Sequence, residues 1–157
     1  MRKFVKIIAG PVLVITVLGI TLHHRSTLND IWSERLTEES VIAGYLEFYP
    51  ASGKEAITAE KGTFIINNKS DLQMRTGEFY ALQKKVLGKW SDVEPYLDFV
   101  MIAYEVPTGE YSFTVSWGKD YGKLPHGTYR IIKDCSVTLD AEYHKSEDLV
   151  FACEFRI

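Results

Sequence analysis

From about residue 40 to the C-terminus, apolar and polar side chains alternate with a period of two, which commits the chain to extended ribbons with one buried and one solvated face. Tyr111, Phe113, Val115 and Trp117 alternate with Ser112, Thr114 and Ser116. Leu149, Phe151, Cys153, Phe155 and Ile157 alternate in the same way with Val150, Ala152, Glu154 and Arg156. Shorter runs at 41–49, 62–67, 78–87, 99–105 and 128–135 are separated by turn formers such as Pro50 to Gly53, Asn67-Asn68, Leu87-Gly88, Pro107 to Gly109 and Pro125 to Gly127. About seven short strands at this spacing predict an all-β antiparallel sandwich. No helical crossover of the kind a parallel sheet needs is visible between them.

The N-terminus follows different rules. Arg2, Lys3 and Lys6 precede a stretch from residue 7 to residue 22 without a charge, closed by His23, His24 and Arg25. A basic flank and an apolar run form an export signal or a signal anchor. Sixteen uncharged helical residues span about 24 Å, and counting from Phe4 with Lys6 snorkelling brings the span close to a bilayer core. No Ala-x-Ala cleavage site follows, so residues 1–25 are read as an uncleaved transmembrane anchor in preference to a cleaved signal peptide. The positive flank places the N-terminus in the cytoplasm and the C-terminal domain outside the cell membrane. Leu28, Ile31, Trp32 and Leu36 recur at helical spacing, so residues 26–40 are expected to form a juxtamembrane helical connector to a domain at 41–157.

Charge narrows the partners. The 157 residues carry a net charge of −3, but the first 25 contain four bases and no acid, which leaves 14 bases against 21 acids in the remainder. An acidic body argues against nucleic acid, because phosphate binding needs clustered Lys and Arg. The expected partners are the membrane, through the N-terminal helix, and a protein or envelope component.

Three segments carry a family resemblance: residues 64–70 (Phe-Ile-Ile-Asn-Asn-Lys-Ser), residues 80–90 (Tyr-Ala-Leu-Gln-Lys-Lys-Val-Leu-Gly-Lys-Trp) and residues 117–131 (Trp-Gly-Lys-Asp-Tyr-Gly-Lys-Leu-Pro-His-Gly-Thr-Tyr-Arg-Ile). Together they resemble the bacterial immunoglobulin-like domain of exported and membrane-anchored Firmicutes proteins, over roughly residues 45–157. The resemblance implies an immunoglobulin-like sandwich and an extracytoplasmic location, with no catalytic residue or cofactor to carry over. Within it, Pro125 and Gly127 shape a tight turn and Tyr129 begins a strand. A sandwich often seats a tyrosine there, with its hydroxyl bonded to upstream backbone.

Two cysteines are too few for a structural zinc site. A hairpin centred on His144 would place Cys135 opposite Cys153 with both facing inward, so a disulfide and a pair of buried thiols both fit. His126 and His144 have no second ligand at metal spacing. The four carboxylates of residues 140–148 lack the order of a calcium loop. No nucleophile elbow or phosphate-cradling loop is present, so an enzyme is not expected and no cofactor or metal is assigned. Trp90, Tyr96, Trp117 and Tyr121 sit at or beside expected turns and are the candidate recognition aromatics, although each could instead cap an end of the core. The expectation is a non-catalytic interaction module working through loops or an edge strand. An alternative is a protease inhibitor or regulatory sensor domain acting on a membrane or envelope protease, because the turn from Leu124 to Tyr129 is similar to one in small bacterial proteinase-inhibitor sandwiches.

Overall fold

The computed structural model describes residues 32–96 and 102–157. The anchor expected at 1–25 and the first part of the connector lie outside the described residues. Among the described residues, no helix is long and apolar enough to cross a membrane.

Among the described residues, nine strands form two antiparallel sheets. The small sheet has the order β1-β2-β7, from β1 (Leu46–Pro50), β2 (Gly62–Asn68) and β7 (Gly109–Val115). The large sheet is built on β8 (Thr128–Asp140), which pairs along its length with β9 (Lys145–Arg156). The opposite edge of β8 is shared: β4 (Ala81–Val86) takes its first half and β3 (Met74–Gly77) its second. Outside these lie β5 (Lys89–Val93) against β4 and β6 (Ala103–Val106) against β3. The large sheet is therefore one strand wider than the small one, with its third and fourth positions each filled by two short strands.

The alternation in sequence becomes the core. Phe64, Val115 and Trp117 pack against Leu82, Tyr129, Ile131 and Phe155 at one end. Leu46 and Ile66 meet Met74, Val137, Leu149 and Phe151 at the other. Gly62 is required by this packing, because a Cβ built there would lie 2.2 Å from the Trp117 ring. Tyr129 donates its hydroxyl to the Pro125 carbonyl at 2.7 Å, which pins the turn before β8. Gly127 does not adopt a left-handed conformation; its missing side chain instead leaves room for Lys84, whose Cε lies 2.9 Å from a built Cβ.

Several elements differ from the sequence expectation. The connector is not one helix over 26–40: its described part holds a 3₁₀ turn at Ser33–Arg35 and a helix α1 at Glu39–Tyr45, which replaces the first half of the strand expected at 41–49. The run at 78–87 shortens to β4; the expected turn at Leu87 and Gly88 (φ 50° and 80°) is a two-residue hairpin turn, and it leads into β5, a strand the alternation had not revealed. The hairpin between β8 and β9 turns earlier than expected. Asp140 accepts the backbone N–H groups of Glu142 and Tyr143 at 2.9 and 3.1 Å and closes the turn, so Asp140 pairs with Lys145. Cys135 then lies opposite Leu149 and Cys153 opposite Ile131, and both are free, buried thiols. Four positions separate Cys153 from the partner of Cys135, and no local adjustment of the strands bridges that distance.

Candidate functional site

The site follows from one residue in the wrong chemical class for its position. On β8, Tyr129, Ile131, Cys135 and Val137 point into the sandwich, and Lys133 occupies the same series at 3% exposure. A buried ammonium needs acceptors. It finds them where β3 and β4 part: the Lys133 Nζ donates to the Phe79 carbonyl at 2.7 Å and to the Gly77 carbonyl. The break between the two strands thus has its Gly77 and Phe79 carbonyls satisfied from β8, the strand beside it. Burial holds this ammonium down at about 8, against an ordinary 10.5, while Asp134, Cys135 and Glu78 pull the other way. Its charge also lies 5.6 Å from the centre of the Phe113 ring, on β7 of the other sheet.

Between that break and β7 the sandwich is open. A cleft of about 380 Å³ is walled by Tyr80, Tyr104, Tyr111 and Phe113, with Lys133 in its lining. At one end stands α2 (Trp117–Asp120), where Asp120 accepts the Tyr80 hydroxyl at 2.8 Å. Tyr121 donates in turn to the Tyr80 carbonyl at 2.8 Å. Burial, followed for Tyr80 by the hydrogen bond to Asp120, raises both phenols above their ordinary value, so they act as donors rather than bases. Rings, hydroxyls, an ammonium and a carboxylate suit recognition. Burial likewise pushes the thiols of Cys135 and Cys153 up to about 12, which leaves them unreactive near neutral pH. Among the described residues, no group of three His, Cys, Asp or Glu side chains is placed to hold a metal ion.

The aromatics singled out in the sequence separate. Trp117 and Tyr121 belong to the core, with the Trp117 indole N–H donating to the Thr58 carbonyl at 3.2 Å. Trp90 lies on the outer face of the large sheet, with the Arg130 guanidinium 4.6 Å from its ring centre and the Lys85 ammonium at 4.9 Å. Only Tyr96, at 74% exposure, stands out into solvent. Leu124, in the turn that resembles a protease inhibitor's, is buried and presents no specificity side chain. His126 and His144 are exposed and far apart in the fold's loops. Sequence reasoning missed Lys133, Tyr80 and Asp120. The signal was available for Lys133, a charge in the inward series of an otherwise apolar strand.

A sequence profile described as a bacterial Ig-like domain matches residues 50–145. The chain belongs to that family. The matched part of the Ig-like domain runs from the end of β1 to the start of β9 and includes every cleft residue named above. No curated protein and no solved structure matches the chain. As an Ig-like domain it is an interaction module, and the cleft beside β7 sets a buried ammonium among aromatic walls.

Proposed function

We propose that this Ig-like domain is a non-catalytic recognition module, held at the outer side of the cell membrane by residues 1–25 and binding its partner along β7 and the adjoining cleft. The observation that carries this reading is the cleft itself: a buried ammonium and four aromatic rings open beside a strand edge. An extended segment laid on such an edge gains main-chain hydrogen bonds, and alternate side chains gain pockets. The basic and apolar N-terminus supports the location, and tethering would raise the effective concentration of the domain at the surface.

The test uses the full chain in a bacterial host. Alkali-resistant sedimentation with membranes and digestion of the domain by protease added to spheroplasts are the expected outcomes; recovery in the cytosol overturns the location. A photoreactive phenylalanine in place of Ser112 should give adducts that the same residue at Leu87, on the distant β4–β5 turn, does not. Equal labelling at the two positions, or none at Ser112, overturns the site.

A further inference from the structure

The cleft lies beside a strand edge that no other described residue covers. Among the described residues, the other edges are covered, broken, charged or short. β9 is met by Thr37, whose N–H donates to the Val150 carbonyl at 2.8 Å. β1 ends in Pro50, which has no N–H. β5 carries Lys89 and Asp92, and β6 is four residues long. β7 has seven residues, no proline, no lysine and no bulge, and its one charge, Glu110, already accepts the Tyr49 hydroxyl at 2.9 Å. An edge of this kind is a template for another strand.

The backbone fixes which groups are on offer. Thr63 uses both its main-chain groups on the side away from β7, donating to the Ala56 carbonyl at 2.7 Å and accepting from the Ala51 N–H at 2.9 Å. Thr63 is registered with Thr114, so the main-chain groups of Thr114 face outward, and by alternation so do those of Ser112 and Glu110. These three positions are symmetric about Ser112: polar at 110, 112 and 114, aromatic at 111 and 113.

We propose that the occupant of this edge is β7 of a second copy of the chain, paired antiparallel with Ser112 on the two-fold axis. Glu110 then faces Thr114 of the second copy and Ser112 faces its own equivalent, which gives about six main-chain hydrogen bonds and no opposed like charges. Tyr111 lies across from the second copy's Phe113 at the closer, non-hydrogen-bonded spacing of about 4.5 Å between Cα atoms. Both rings enter the inner face beside the cleft. A one-residue slip would set 111 against 112 and turn aromatic side chains to solvent, so the pattern selects the register. Two three-stranded sheets become one of six strands, and the bare edge disappears. This inference rests on the reading of β7 as the recognition edge and names the partner.

The experiment is cysteine crosslinking of the full chain in its membrane. Ser112→Cys should give a reducible species of doubled mass on mild oxidation. The unsubstituted chain, with both thiols buried, should not. Thr114→Cys alone should stay single, but should crosslink when co-expressed with a Glu110→Cys copy. Ser112→Pro removes an outward N–H from each copy and nothing from the fold, so it should weaken self-association on the order of tenfold with an unchanged far-UV spectrum. A Ser112→Cys chain that stays single under oxidation overturns the proposal, as does equal crosslinking by Thr114→Cys alone. Photo-adducts from position 112 to some other molecule, with none to a second copy, overturn this partner and leave the recognition edge standing; no adducts remove both.

Discussion

The two flanks of the sandwich are finished differently. On the flank where β1 approaches β9, the chain crosses over itself. Thr37 pairs with the backbone of Val150, Ile42 and Tyr45 of α1 pack on the core, and the Phe48 and Phe151 rings meet edge to face with centres 5.0 Å apart. A groove of about 590 Å³ remains there under the segment, lined in part by Ile42, Leu46 and Phe151. On the flank where β7 approaches the β3–β4 break, no described segment crosses. A lysine fills the space that an apolar residue fills elsewhere in the series, and Tyr111 and Phe113 remain half-buried. One flank is held by chain and rings, the other by a cation and its carbonyls. A fold that only needed stability would be expected to close both sides in the same way, so the unclosed side is where a function is to be sought.

Matched ring truncations should show the largest effect. Phe151→Ala, on the strapped flank, should cost about 3–5 kcal/mol, the range for removing a fully buried aromatic ring. Phe113→Ala removes the same atoms from a half-buried edge position and should cost about 2 kcal/mol less, because water and relaxation refill an open site more readily. Urea denaturation of the two variants measures the gap. Equal losses would mean that the β7 flank is packed as firmly as the other, and the contrast would fail.

The lysine offers the next break point. Lys133→Met keeps the length of the side chain but strands the Gly77 and Phe79 carbonyls, and should cost about 2 kcal/mol after the gain from no longer burying a cation is subtracted. A more stable variant would show that the ammonium is dispensable to the fold and is retained for what enters the cleft. The pH profile sharpens the same point. The folded value of Lys133 lies near 8 and the unfolded value near 10.5, so across that window the unfolded chain binds the proton more tightly and stability rises with pH. The opposite sign applies to Cys135 and Cys153, whose folded values near 12 exceed the ordinary 9.0, so their contribution falls away above pH 9. The two thiols already oppose the lysine below pH 9, so stability should climb by only about half a kcal/mol from near pH 7 to near pH 9 and then decline. Lys133→Met should abolish the climb and keep the decline, a difference that thermal melts across the range would resolve.

What was legible in advance follows the same division. Dyadic alternation is a local signal, and it located β2, β7 and β9 within a few residues, together with the sandwich they form. The Tyr129 corner was legible because its bond spans four residues. Register was not: a single Asx turn at Asp140 moved the β8–β9 pairing and separated the two cysteines. Nor was the cleft, because Lys133, Tyr80 and Asp120 come together only through the pairing of β3, β4 and β8 and the placement of α2. Of the four aromatics chosen from turn positions, Trp117 and Tyr121 took the alternative reading as core residues. Trp117 opens a short helix that folds inward and Tyr121 follows directly after it, which residue type and nearby glycines do not announce.

The smallest expected effect concerns the strap. Thr37 contributes its N–H to the Val150 carbonyl and its hydroxyl oxygen to the Val150 N–H at 2.9 Å. Thr37→Val preserves shape and the first bond and deletes the second. The Val150 N–H is only partly shielded there, and water can replace the lost acceptor, so the loss should be near 1 kcal/mol or less. Hydrogen exchange is the more sensitive readout: the Val150 amide should exchange faster, and amides of β9 facing β8 should be unaffected. Protection lost throughout β9 would mean that the strap holds the hairpin in place and does not simply cover its edge. Among the described residues the two long edges would then stand in direct contrast, β9 steadied by a segment laid across it and β7 by none.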